Sequence, residues 1–124
     1  MVHQLRLGLD VVRSNVPGPI FVKQRIGAGI RLLDDFGPPN WRTKIKLNKL
    51  DVMSGANCVL GQIYGDYHTG CYMLGIDPSG EAARRGFNAP DTPLQGMEFA
   101  ALTRGWKLAL ERQPDHQASI KLAA

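Results

Sequence analysis

Long apolar runs are missing from this chain. None approaches the roughly 20 residues needed to cross a bilayer. The opening "MVHQLRLGLD" carries charge and no extended apolar stretch, so a secretory leader is not expected there. Cysteine is scarce. Two residues in 124 can form one disulfide at most, and without an export signal they point to a reducing cytoplasm. There is no internal repeat and no low-complexity tract, which removes solenoids and linker arrays. Acidic residues are few in the first half. Residues 1–50 hold nine Lys/Arg against three Asp/Glu, whereas residues 51–124 hold six against eight.

What is present fits one folded domain. Hydrophobic content is 44% and charged content 21%, ordinary for a globular chain of this length. Period-2 leucines (Leu5, Leu7, Leu9) suggest a short strand in an N-terminal extension, residues 1–18. The tail "ASIKLAA", within residues 114–124, is the other strand candidate, so a small two-stranded sheet from the termini is one expectation. Between them, residues 19–113 read as a mainly α domain, a compact bundle of short helices.

The helices are legible from periodicity and punctuation. After Pro19, the residues Val22, Ile26, Ile30 and Leu33 form one stripe. Gly37 suits a left-handed terminator, and Pro38 blocks continuation. Gly27 and Gly29 inside that helix each cost roughly 1 kcal/mol relative to alanine, which favours close approach of another helix as their reason. Asn40 is a candidate N-cap for "NWRTKI", with Trp41 as a core anchor. "KLNKLDVM" fits neither period. Ser54 is a candidate cap for a helix carrying Ala56, Val59, Leu60 and Ile63 and ending at Gly65. A second short helix runs from about Thr69 to Gly75. "IDPSGEAARRGF" suggests a third, capped by Asp77 and closed by Gly86. In the last helix Phe99, Leu102, Trp106 and Ala109 make one face. Glu98, Arg104, Lys107 and Glu111 are its polar residues, with Lys107 and Glu111 spaced to pair.

The stretch "NCVLGQIYGDYHTGC" concentrates reactive residue types. Cys58, His68 and Cys71 could bind zinc if Asp66, His3 or His116 supplied a fourth ligand, but the paired C-x2-C knuckle is missing. His68 and Cys71 stand three apart, as a base and a thiol nucleophile could on one helical face. A Cys58–Cys71 disulfide conflicts with a reducing compartment. The simpler reading is a helix–turn–helix corner with Cys58 inside, Gly65 turning the chain, and Asp66 or Thr69 capping the second helix. Tyr64 and Tyr67 then bury their rings and keep their hydroxyls near the surface. "RIGAGI" lacks the preceding strand and third glycine of a phosphate-binding loop. The helix after Gly65 has no Arg, Lys, Asn or Gln to read base edges. A nucleic-acid contact would therefore run through Arg42, Lys44, Lys46 and Lys49 to the phosphate backbone. Gln62, Asp66 and Tyr67 are the next binding candidates, as polar groups beside the corner. No cofactor is expected.

The segments "LLDDFGPPNWRTKIKLNKLDVMSGANCVLGQIYGDYHTG", Gly86–Phe87 and "FAALTRGWKLAL" resemble a family of small uncharacterised proteins of actinobacteria and their phages. The likeness rests on Leu33–Asp34, Trp41, Leu50–Asp51, Cys58 to Gln62, Leu102–Thr103 and Trp106, and spans roughly residues 30–110. It implies no particular activity, fold or cofactor. It does imply an accessory protein of phage or prophage type that binds a host protein or nucleic acid without catalysis. The rival expectation is a small zinc protein or Cys/His-dependent enzyme built on Cys58, His68 and Cys71.

Overall fold

A computed structural model describes residues 19–112. The terminal strand candidates lie outside those residues. Within them the chain is mainly α, with no strand. Helix α1 spans Pro19–Phe36. Two 3-10 turns come next, at Trp41–Lys44 and Leu47–Lys49. Then come α2 (Val59–Tyr64), α3 (Tyr67–Leu74), α4 (Gly80–Arg84) and α5 (Gln95–Arg112).

The α1 stripe does what its spacing requires. Val22, Ile26, Ile30 and Leu33 are all buried, and they face α5, where Leu102, Trp106 and Leu110 are buried in turn. The two glycines of α1 part company here. A methyl on Gly29 would stand 2.3 Å from the Arg85 carbonyl oxygen and 3.0 Å from the Trp106 ring. Gly29 therefore lets the end of α4 and the indole touch the α1 backbone. Gly27 would meet only the flexible end of Arg31, at 3.5 Å. Trp106 fills the crossing. It is fully buried, stacks on Phe87 with centroids 5.6 Å apart, and donates its indole N–H to the Gly86 carbonyl at 2.7 Å. Burial of so large a ring with its one donor satisfied makes this the anchor of the core.

Glu98, one of the polar residues of the last helix, lies inside the fold. It is buried, with Oε2 2.8 Å from Arg25 Nη2, an approach outside hydrogen-bond geometry and so chiefly electrostatic. Arg25 also donates to the Ala83 carbonyl at 2.8 Å and the Asn88 carbonyl at 2.9 Å. One guanidinium thus ties α1 to the end of α4, the loop after it and the first turns of α5.

The smaller helices form a hairpin, α2 against α3. The glycines after α2, α3 and α4 end them as expected: Gly65, Gly75 and Gly86 have φ of 95°, 69° and 75°. Gly37 does not adopt that conformation. It is needed for space, since a Cβ there would fall 2.6 Å from the Leu33 carbonyl oxygen. Several caps also shift. Cys58, not Ser54, precedes α2, and Ala56 is exposed in the turn before it. Ser54 opens that turn by accepting the Asn57 N–H at 3.1 Å. Helix α3 starts at Tyr67, capped by Asp66. Asp77 accepts the Ser79 and Gly80 N–H groups at 3.2 and 2.7 Å, so it caps α4 from across Pro78. Asn40 makes no side-chain cap.

Replacing Gly27 by alanine should stabilise the fold by about 0.5–1 kcal/mol, and Gly29→Ala should destabilise it by more than that, both read from denaturant midpoints. Arg25→Met should cost about 3–5 kcal/mol by stranding a buried carboxylate, and Arg25→Met/Glu98→Met should recover most of the loss.

Candidate functional site

The basic segment lies across the two 3-10 turns between α1 and the Asp51–Cys58 loop. Its four cations are not equivalent. Arg42 is committed to the fold. It donates to Asp34 Oδ1 at 2.7 Å and Oδ2 at 3.3 Å, and its guanidinium lies 4.4 Å from the centre of the Trp41 ring. The Trp41 indole, buried as expected, donates to the same Asp34 oxygen at 3.1 Å. Partial burial opposes charge on Asp34, but the Arg42 and Trp41 hydrogen bonds and the Arg42 charge outweigh it and hold the carboxyl below its ordinary value. Lys44, Lys46 and Lys49 are exposed, and none forms an ion pair with another described residue. The winding places Lys46 and Lys49 one 3-10 turn apart, with the Lys49 N–H on the Lys46 carbonyl at 3.0 Å, so their side chains share a side.

Gln62 explains why that segment keeps its shape. Its amide oxygen accepts the Lys46 N–H at 2.6 Å, and its nitrogen donates to the carbonyls of Lys46 (3.3 Å) and Asn57 (3.0 Å). The side chain clasps the lysine backbone to α2, with both of its amide hydrogens spent on backbone carbonyls. Asp66 is occupied as a cap, with Oδ2 accepting the His68 and Thr69 N–H groups at 3.0 and 3.3 Å. Tyr67 is half-buried and donates its hydroxyl to the Pro78 carbonyl. Burial, with the adjacent Cys71 sulfur, pushes its phenol well above the ordinary value.

The cysteines and His68 do not converge. Cys58 and Cys71 are buried free thiols, whereas His68 is exposed with its ring edge-on to Tyr67 at 5.3 Å. Among the described residues no three His, Cys, Asp or Glu side chains stand together as a metal site; His3 and His116 lie outside those residues. Cys58 serves α2. Its sulfur accepts the Gly61 N–H at 3.3 Å, which is the capping bond. Burial pushes both thiols above their ordinary value, away from the thiolate a nucleophile needs.

A region the sequence did not single out is the outer face of α5. Gly96, Ala100, Thr103 and Lys107 recur at helical spacing along it. With Met53, Phe99 and Arg104 they border a cleft of about 480 Å³ between α5 and the Asp51–Met53 loop. Thr103 fastens that loop, its hydroxyl accepting the Val52 N–H at 2.9 Å. A smaller cavity of about 230 Å³ adjoins the cleft, shares Met53 and Phe99 with it, and reaches Asp66, His68 and Asn88. The Gly96-Ala100 spacing was the signal available, hidden because small residues on a helix read as neutral filler.

Cys58→Ser should retain stability better than Cys58→Ala, which loses about 1 kcal/mol with the cap. Labelling of both thiols at neutral pH should be slow without denaturant. Because folding raises their pKa above the ordinary 9.0, stability should be full below that pH and decline as pH rises through it, as thermal melts across alkaline pH would show.

Comparison with protein-family models, curated proteins and solved structures finds no match for this chain.

Proposed function

We propose that this chain is a non-catalytic binding protein of the phage or prophage accessory type, and that it engages the nucleic-acid phosphate backbone through Lys44, Lys46 and Lys49. One observation carries the reading: three exposed lysines without acidic partners among the described residues sit on a backbone pinned by the Gln62 clasp on one side and by the Asp34–Trp41–Arg42 cluster on the other. A polyanion meeting pre-ordered cations loses less conformational freedom than one that must order a loop. Arg42 supports the surface and contributes its charge, with its geometry already spent on Asp34. Gln62, Asp66 and Tyr67 act by holding the corner in shape. The contact is sequence-independent, since lysine ammonium groups meet phosphates as point charges. Two free thiols suit the reducing cytoplasm of a bacterial host. Among the described residues no helix is long and apolar enough to cross a membrane.

The test is a salt titration of binding to a fluorescent duplex of arbitrary sequence, read by anisotropy. Lys44→Gln/Lys46→Gln/Lys49→Gln should lower the slope of log affinity against log salt by about 2–3, close to 0.9 for each phosphate no longer neutralised. An unchanged slope overturns the reading. Capture of an acidic host protein by the parent chain but not by the triple variant, in nuclease-treated lysate, moves the partner from nucleic acid to protein.

A further inference from the structure

We infer that the cleft between α5 and the Asp51–Met53 loop is a binding site for a small amphipathic carboxylate, with its tail along Gly96, Phe99 and Ala100 and its acid group at Arg104 and Lys107.

The cleft has the size of a ligand site. It is an open cleft, and its volume of about 480 Å³ falls within the range of small-molecule sites. It is held open by the fold, because Thr103 fixes the loop at Val52 and Phe99 packs partly into the core beneath it. The space over Gly96 is open, with no atom of the described residues within 4 Å of where a Cβ would stand. Met53, two-thirds exposed at the rim, supplies a flexible and polarizable wall.

The charge pattern selects the ligand. Arg104 and Lys107 border the cleft, and neither makes an ion pair or hydrogen bond with another described residue. Lys107 is spaced to pair with Glu111 on the same helix, yet it does not, and lines the cleft instead. The acid of the cleft, Asp51, uses Oδ1 to accept the Met53 N–H at 3.1 Å and forms no ion pair with either cation. Apolar surface at one end and, at the other, two cations without a partner among the described residues complement an apolar tail ending in an anion. From Gly96 to Arg104 the helix rises about 12 Å, the reach of an extended acyl chain of medium length.

Decanoate, kept below its micelle-forming concentration, is the probe, with binding followed by calorimetry and by the methyl resonance of Met53. Saturable binding that shifts this resonance is expected. Arg104→Gln/Lys107→Gln should weaken it about tenfold, and the cationic analogue decyltrimethylammonium should bind at least as weakly. Gly96→Leu should fill the cleft and abolish binding while leaving the melting temperature equal or higher, because the site is open and leucine favours helix. If that variant melts lower, Ala100→Leu serves the same purpose. No saturable decanoate binding, or binding indifferent to these substitutions, overturns the inference. Vesicles of phosphatidylglycerol separate a free acid from a lipid surface. Co-sedimentation that survives Gly96→Leu but is lost in Arg104→Gln/Lys107→Gln would assign the cations to a membrane face and overturn the cleft. A short acidic amphipathic peptide that occupies the cleft when decanoate does not would overturn the small-ligand assignment in favour of a protein partner.

Discussion

The fold depends on one crossing, where α1 meets α5 and the end of α4 over the Gly29 backbone. Trp106 sits there with its ring against Phe87 and its N–H on the Gly86 carbonyl. The three parts need each other. Without a glycine at position 29 the Arg85 carbonyl could not lie where it does. Without the left-handed turn at Gly86 its carbonyl would not face the indole, and the ring would bury an unsatisfied donor. The Arg25–Glu98 ion pair lies beside the same crossing and is paired because burial of either charge alone would be costly.

From that frame the rest of the molecule is held by shared apolar burial, with Trp41, Leu50, Val59, Leu60 and Ile63 in the same core, and its loops are set by polar clasps. Gln62 pins the lysine segment, Thr103 pins the Val52 loop, and Asp66 and Asp77 start short helices that could not nucleate alone. Such clasps fix backbone geometry while leaving the nearby side chains in water. That is how the chain presents an ordered basic segment and an open cleft at once.

The reactive look of "NCVLGQIYGDYHTGC" dissolves in three dimensions. Its thiols are inside, one as a helix cap and one beside the half-buried Tyr67, while the imidazole is outside. The polar residues that read as binding candidates at this corner mostly hold the backbone. Their chemistry is spent on N–H and carbonyl groups that tight turns leave unpaired.

Local sequence determined much of this. The apolar stripe of α1, the burial of Trp41 and Trp106, and the ends of α2, α3 and α4 follow from helical periodicity and from glycine's tolerance of positive φ, both short-range properties. Tertiary structure decided what needs residues distant in sequence to meet. It separated Gly29 from Gly27, buried Glu98 by bringing Arg25 to it, turned Gln62 onto Lys46, drew Arg42 onto Asp34, and opened the cleft over Gly96. Periodicity says which face of a helix is apolar. It carries no information about which charge a distant segment will neutralise or which gap it will leave unfilled.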